Sequence, residues 1–254
     1  GGFNGTETIR SQRDWAANRT ILSGDIGQPG VFSDNTRTIM ATLNSSGVVG
    51  AVIEGLVFAG GNANDPKELG GGIVGGSGGA VYLSLASVEF KQCSFVGNYA
   101  VYGGAISVHM LGSALTVSDC MFAGNIAKYV GGAMEFQTSG GVFTVRNSTI
   151  VNNTSSRGAA IGVNYGGPSC FYYNNLIHSN TSTSTGWQLV EVGSGAGGLE
   201  NNILEAALIP AGTNNLVVTS PKLARFPSSG VDGIWGTMDD ILDGKLAGDS
   251  PALD

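Results

Sequence analysis

Short segments with an apolar residue at every second position recur along the middle of the chain. They are Val88-Glu-Phe90, Leu115-Thr-Val117, Phe143-Thr-Val145 and Cys170-Phe-Tyr172. This two-residue period is typical of a β-strand that buries one of its faces. Each segment is followed by a second short apolar segment, and none has the period of a helix. The pattern therefore predicts many short strands.

Each second segment leads into a motif of one bulky apolar residue, two small or polar residues, an asparagine and a box of small residues. The copies are Phe95-Val-Gly-Asn98 with Gly103-Gly-Ala-Ile106, Phe122-Ala-Gly-Asn125 with Gly131-Gly-Ala-Met134, Ile150-Val-Asn-Asn153 with Gly158-Ala-Ala-Ile161, and Ile177-His-Ser-Asn180 with Gly186-Trp-Gln-Leu189. The apolar residues are 27, 28 and 27 positions apart, a spacing typical of stacked repeats. We therefore expect an all-β fold, a single-stranded parallel β-helix with 27 or 28 residues per coil.

The asparagines of the motif predict a ladder along one turn of the β-helix. Asparagine tolerates the left-handed conformation, and stacked asparagines can hydrogen-bond to one another. The predicted structural ladder consists of Asn98, Asn125, Asn153 and Asn180. The Gly-Gly-Ala boxes predict tight corners, and no helix follows them as it would in a phosphate-binding loop.

Two cysteines occupy the same place in consecutive repeats. Cys93 and Cys120 each lie two residues before the leading phenylalanine. In parallel strands about 4.8 Å apart they would be direct neighbours. Two alternatives stay open for this stacked pair, a disulfide and a buried column of reduced thiols. Cys170 is expected to be a small core residue.

Two segments break the repeat and divide the chain. We expect the β-helix to span residues 1–220, with irregular N-terminal coils and an inserted loop at residues 60–79. Residues 221–254 form a tail rich in Gly and Asp, which we expect to pack on the helix or cap it. An insertion at one turn of a solenoid projects as a surface loop, so it is a candidate recognition feature or a loop without a partner.

Charge and composition favour an extracellular β-rich protein. Only 12% of the 254 residues are charged, and 42 are glycine, whereas average proteins have about 25% charged residues and about 7% glycine. The net charge is -7 and the Lys and Arg residues are scattered, so the sequence predicts no basic surface that would bind nucleic acid. No apolar run is long enough for a membrane helix, and the first residues do not form a signal peptide.

The repeats and both ends of the chain resemble those of bacterial surface β-helix proteins. The Gly-Gly-Ala-Ile and Phe-x-x-Asn motifs are similar to those of polymorphic outer-membrane proteins. The ends resemble the secreted, pectin-lyase-like proteins called choice-of-anchor Q domain proteins. The residues that carry this resemblance are Gly1-Gly-Phe-Asn-Gly-Thr-Glu-Thr8, Gln12-Arg-Asp-Trp15, Ile21-Leu-Ser-Gly-Asp-Ile-Gly27 with Ser33-Asp-Asn35, and Asp232-Gly-Ile-Trp-Gly-Thr-Met-Asp-Asp240 with Ser250-Pro-Ala-Leu-Asp254.

The resemblance implies a right-handed parallel β-helix that is exported by a bacterium. It also implies that an extra carboxy-terminal module attaches the parent protein to the cell surface, and that further strands precede Gly1. It implies no reaction.

The repeats contain candidate general acids and bases, but these residues are dispersed along the sequence. A lyase acting on an acidic polysaccharide needs a base beside a charge neutraliser such as Ca²⁺. Candidate bases are His109, His178, Lys91, Lys128, Arg146, Arg157 and tyrosines 99, 102, 129, 165, 172 and 173. A glycoside hydrolase needs two carboxylates at a suitable separation, and the candidates are Glu89, Asp119, Glu135, Glu191 and Glu200. No cluster recurs, so the sequence assigns no catalytic and no cofactor-binding residue, and enzymatic activity stays open.

The densest acidic cluster lies in the tail and is the candidate metal site. It consists of Asp232, Asp239, Asp240 and Asp243, interleaved with glycine. Carboxylates in a flexible loop can supply oxygen ligands to Ca²⁺, although the spacing is not that of an EF-hand. The alternative is a solvated acidic turn.

Two functional hypotheses follow. The first is an extracellular cell-surface module with a structural, adhesive or matrix role, which assembles end to end into a homo-oligomer or filament if its terminal coils are open. The second is a domain that binds or degrades polysaccharide, by a lyase or hydrolase reaction, on a long face of the helix beside aromatic residues such as Tyr102 and Tyr129. We expect specificity to reside in the insertion and the acidic tail.

Overall fold

A computed structural model describes residues 1–42, 48–65, 75–109, 112–185, 189–205, 212–244 and 246–250, except for the side chains at positions 48, 49 and 165. These described residues form short strands, numbered here in chain order, and two single-turn 3-10 helices, Arg10–Gln12 and Phe32–Asp34. The strands lie in four parallel sheets, which we call A to D.

Sheet A contains Thr20–Ser23 (β1), Leu56–Ala59 (β4), Ser94–Val96 (β8), Met121–Ala123 (β12), Thr149–Val151 (β16), Leu176–His178 (β20), Ile203–Leu204 (β23) and Leu216–Val217 (β24). Sheet B contains Met40–Thr42 (β2), Val81–Ser84 (β6), Ile106–His109 (β10), Met134–Gln137 (β14) and Ile161–Tyr165 (β18). Sheet C contains Val48–Glu54 (β3), Ala86–Lys91 (β7), Ala114–Ser118 (β11), Val142–Arg146 (β15), Ser169–Tyr173 (β19) and Gly197–Glu200 (β22). Sheet D contains Asn62–Ala63 (β5), Tyr99–Tyr102 (β9), Ile126–Val130 (β13), Thr154–Ser155 (β17) and Thr181–Ser182 (β21).

Every strand pairs in parallel with the equivalent strand of the next coil, so the fold is a parallel β-helix. In sheet A, Phe95 is in register with Phe58 on one side and with Phe122 on the other. Their buried rings stack with centroids 4.9 and 4.7 Å apart. The predicted fold class is confirmed: an all-β parallel solenoid of about 27 residues per coil, with almost no helix.

Each Gly-Gly box forms the corner at which the chain enters sheet B. The first glycine has a positive φ, +60° at Gly103, which is a conformation that glycine adopts without steric cost. The second packs against the next coil, because a Cβ on Gly104 would lie 2.2 Å from the carbonyl oxygen of Gly132. Backbone conformation and close stacking thus explain both glycines.

The C-terminal tail lies across the outer face of sheet A. Trp235 and Leu242 pack on an apolar cluster that includes Val96, Met121 and Val151. Two antiparallel bridges, Leu223 with Leu246 and Ser228 with Ile241, fold the tail back on itself.

Several segments of the sequence analysis lie outside the described residues. These are 66–74 of the insertion, 186–188 of the fourth repeat motif and 251–254 of the tail signature. In the described part of the chain, no helix is long and apolar enough to cross a membrane.

Candidate functional site

The motif asparagines stack at the turn between sheets A and D. The Nδ2 and the backbone N–H of Asn98 both donate to Oδ1 of Asn125, at 3.0 and 3.1 Å. Asn125 donates in the same way to Asn153, and Asn153 to Asn180. Asn98, Asn125 and Asn153 are 0% exposed and Asn180 is 6% exposed. The ladder therefore satisfies buried backbone groups and is closed to a ligand.

A second ladder runs along the turn between sheets C and A, and the sequence analysis missed it. The backbone N–H groups of Cys93, Cys120 and Ser148 donate to the Sγ, Oγ and Oδ1 atoms of the residue one coil on, Cys120, Ser148 and Asn175. Asn175 continues the ladder to Asn202. The aligned cysteines are thus members of a polar ladder. The repeat signal was present, because Asn175 and Asn202 occupy the cysteine position in later coils.

All three cysteines are free, buried thiols. The hydrogen bond with Cys120 lowers the pKa of the Cys93 thiol, and burial raises the pKa of Cys120. Of the two alternatives for this pair, the structure contains the reduced column.

Two of the candidate acid–base residues meet in a buried cluster on sheet B. Ser107 Oγ donates to Oε2 of Glu135 at 2.6 Å and lies 2.9 Å from Nε2 of His109. The corner glycine Gly131 packs directly against Glu135, because a Cβ added to this glycine would lie 2.7 Å from the Cβ of Glu135. Glu135 is 0% and His109 is 4% exposed. Burial raises the pKa of Glu135 to about 7 and lowers that of His109 to about 4. A polymer cannot reach these groups, because the corner encloses them.

Five of the other ionisable candidates form ion pairs among the described residues. Lys91 and Arg146 occupy equivalent register positions on strands β7 and β15, on the outer face of sheet C. Nζ of Lys91 and Nη2 of Arg146 lie 3.2 and 3.8 Å from Oε1 of Glu89. Glu191 pairs with Arg157 at 3.2 Å.

Tyr102 and Tyr129 are adjacent, with ring centroids 5.5 Å apart. The ammonium group of Lys128 lies 5.3 Å from the Tyr129 ring. This pair therefore offers an aromatic surface on sheet D with one cation beside it.

A groove of about 590 Å³ lies at the turn between sheets A and D, which we call the aromatic groove. Its walls are Trp235 of the tail and Phe32 of the N-terminal segment, and its floor includes Tyr99 and Ile126. Asn62 and Asn64 belong to the polar lining together with Ser33 and Asn98, and Nδ2 of Asn62 donates to the carbonyl oxygen of Phe32. Phe32 is 53% exposed and Ile126 is 44% exposed. The groove therefore presents apolar surface and neutral hydrogen-bonding groups side by side.

The sequence builds this groove by placing glycines under Trp235. Gly97 and Gly124 precede the ladder asparagines and have φ values of +59° and +66°. A Cβ on Gly97 would lie 2.3 Å from Cδ1 of Trp235, and one on Gly124 would lie 2.9 Å from its Nε1. The later repeats have Asn152 and Ser179 at this position, with the same left-handed conformation. Glycine thus occurs where the indole ring covers the turn.

The acidic tail residues mostly bind the backbone of their own loop. Oδ2 of Asp239 accepts from the Val231 N–H at 2.7 Å, and its Oδ1 accepts from Thr237 Oγ1 at 2.5 Å. Asp232 accepts from the Ile234 N–H. Asp243 pairs with Arg225. Among the described residues no group of three or more His, Cys, Asp or Glu side chains is placed to hold a metal ion, and calcium binding at Asp232, Asp239, Asp240 and Asp243 stays a prediction.

A second pocket of about 420 Å³, which we call the tail pocket, lies where the tail meets the N-terminal segment and the edge of sheet A. Its lining includes Trp15, Arg19, Ser94, Arg225, Asp240 and Asp243. Asp240 is 3% exposed, and burial raises the pKa of its carboxyl group.

No family model matches the chain, and no curated protein and no solved structure is significantly similar to it. The class of protein that the fold defines is the parallel β-solenoid.

Proposed function

We propose that this chain is a non-catalytic adhesive module that binds a neutral polysaccharide in the aromatic groove. The observation that carries the proposal is the lining of the groove. It combines the rings of Trp235, Phe32 and Tyr99 with the amides of Asn62 and Asn64, and the described residues that line it include no Asp, Glu, Lys, Arg or His.

This lining matches the chemistry of a sugar ring. A pyranose has apolar C–H faces that stack on aromatic rings and hydroxyl groups that exchange hydrogen bonds with amides. Aromatic side chains bury large areas at little cost in conformational entropy, and well-placed polar groups fix the ligand's orientation. A charged polysaccharide would find no counter-charge among the described residues that line this groove.

The same lining favours binding over catalysis. A general acid or base must lie within hydrogen-bond reach of the proton it transfers. Glu135 and His109, the acid–base pair that the structure brings together, are enclosed behind the glycine corner. In the part of the chain that the structure describes, no such group lines the groove beside its aromatic rings.

The setting that we propose is the surface of a bacterial cell, outside the membrane. The low charge and high glycine content support it, as does the resemblance of the repeats and chain ends to bacterial surface β-helix proteins. In that setting the groove would hold the module against a cell-wall or matrix polysaccharide. It lies between the insertion and the tail, the two segments that break the repeat.

Affinity electrophoresis of the full chain in gels containing neutral glucans or xylans, with pectate and alginate in parallel, tests this proposal. We expect retardation by a neutral polymer and no release of oligosaccharides. Phe32→Ala should weaken retardation about tenfold, since burying a Phe side chain contributes about 1.5 kcal/mol or more. Phe226→Ala is the matched control, because Phe226 is also exposed, at 41%, and lies outside the groove lining.

Three outcomes would overturn the proposal. They are depolymerisation of any polymer, retardation only by the acidic polymers, and equal retardation of the Phe32→Ala variant and the parent.

A further inference from the structure

The tail pocket contains a buried carboxylate oxygen without a hydrogen-bond partner. Oδ2 of Asp240 accepts from the backbone N–H of Gly236 at 2.7 Å. Oδ1 of the same group is buried and has no partner among the described residues. Leaving a buried acceptor unpaired costs about 1–3 kcal/mol, and more when the group is charged. A ligand that donates to this oxygen recovers that cost.

The charges around the pocket favour a cation as that donor. Three carboxylates, Asp239, Asp240 and Asp243, line it together with two guanidinium groups, Arg19 and Arg225. Neither guanidinium group pairs with the free oxygen. Arg19 donates to the backbone carbonyl of Asp240 at 2.9 Å, and Arg225 pairs with Asp243 at 3.0 Å. With all carboxylates ionised, the described residues of the lining carry one negative charge in excess.

A second unpaired group at the pocket is a hydrogen-bond donor. Nε1 of Trp15, whose side chain lines the same pocket, is a buried donor without a partner in the described structure. A bare metal ion offers nothing to an N–H donor. A hydroxyl group does, and the indole ring and the Ser94 hydroxyl are suited to the rest of a polar, ring-sized molecule.

We propose that the tail pocket is a binding site for a small hydroxylated primary amine of the amino-sugar class, with its ammonium group on Asp240 and a hydroxyl group near Trp15. The volume of about 420 Å³ accommodates a monosaccharide. This site is separate from the aromatic groove, and it stands whether or not the groove binds a polysaccharide.

Isothermal titration of the full chain with glucosamine, N-acetylglucosamine, glucose and CaCl₂ tests the site. We expect glucosamine to bind at least about tenfold more tightly than N-acetylglucosamine or glucose, because only glucosamine brings a charged donor to the carboxylate. Asp240→Asn should abolish this preference. Asp249→Asn is the matched control, since Asp249 lies in the same tail and its side chain is 74% exposed, and it should leave the titration unchanged.

The comparison among ligands is made on the unaltered protein, so it does not depend on the variants folding. The proposal is overturned if glucosamine gives no heat, if it binds no better than N-acetylglucosamine, or if folded Asp240→Asn retains the preference. Heat from Ca²⁺ that is lost in Asp240→Asn, with none from glucosamine, would assign the pocket to a metal instead.

Discussion

At the scale of single residues, the buried polar groups of this protein serve the stack. Glu135, His109 and Ser107 have the composition of a catalytic set, yet the serine lies between the other two and the glycine corner seals all three from solvent. Exposure and not residue type separates such a cluster from an active site. Its acid–base chemistry should therefore be visible in the stability of the protein.

Glu135→Gln should change how the free energy of unfolding depends on pH. The folded pKa of Glu135, about 7, is raised above its usual 4.5, so its contribution is present at low pH and is lost as the pH rises through about 7. The folded pKa of His109, about 4, is lowered from 6.5, so its contribution is present above 6.5 and is lost as the pH falls. In the parent, the pH dependences that Glu135 and His109 give to the free energy of unfolding have opposite signs. In the variant, only the pH dependence due to His109 should remain.

Urea denaturation across the mildly acidic and neutral range measures this. In Glu135→Gln the free energy of unfolding should increase by about 3 kcal/mol as the pH rises, because this is the free energy that corresponds to the difference between the folded and the usual pKa of His109. In the parent, the free energy of unfolding should change little with pH. Parallel curves for the two proteins would show that the cluster does not titrate as its burial indicates.

At the scale of elements, each coil is specified by two requirements of its turns: hydrogen-bond partners for buried groups and a residue in the left-handed conformation. Every ladder asparagine accepts from the coil before it and donates to a carbonyl oxygen, as Asn125 does to Phe95 at 2.9 Å. Each turn also needs one residue in the left-handed conformation, which Gly97, Gly124, Asn152 and Ser179 provide. Turn chemistry and inward apolar residues together fix the register.

Asn125→Ala should destabilise the protein strongly. It removes the acceptor for the N–H and the Nδ2 of Asn98 and the donor to Phe95, leaving buried groups unpaired at about 1–3 kcal/mol each. We expect a loss of roughly 3 kcal/mol or more in urea denaturation. Asn147→Gly, at an exposed position with φ of +50°, is the control and should cost less than about 1 kcal/mol. Equal losses would mean that the ladder contributes no more than a surface asparagine.

The sequence allowed the coil to be predicted because its constraints repeat. The period, the inward phenylalanines and the glycine corners each occur several times, so chance is a poor explanation. The second ladder was missed because its members differ, with a thiol at Cys93 and Cys120, a hydroxyl at Ser148 and an amide at Asn175. They share a role as acceptors that residue type alone does not reveal.

At the scale of the whole molecule, both candidate sites lie against the tail, and neither was predictable from spacing. Trp235 and Phe32 meet across the aromatic groove, and Trp15 and Asp240 line one pocket, although each pair is far apart in sequence. Their proximity depends on the tail docking on sheet A, a single contact without internal repetition. The repeat therefore determines the scaffold, and the non-repeating ends position the sites.

Leu242→Asp should detach the tail while leaving the coils folded. Leu242 packs on the apolar outer cluster of sheet A, so a carboxylate there would lie against that apolar cluster at a cost of several kcal/mol. The inward stack of Phe58, Phe95 and Phe122 does not involve the tail and should persist. We expect faster proteolysis of the tail, greater binding of a hydrophobic dye and an unchanged far-ultraviolet β signal.

Met238→Asp is the matched control for this experiment, because Met238 lies in the same tail and is 66% exposed. It should behave as the parent does. In Leu242→Asp, loss of the docked tail should also abolish retardation by a neutral polysaccharide and the binding of glucosamine together, since Trp235 and Asp240 both belong to the tail. If the tail is released and both activities survive, the binding groups must lie on the coils themselves, and neither the groove nor the pocket would be the site.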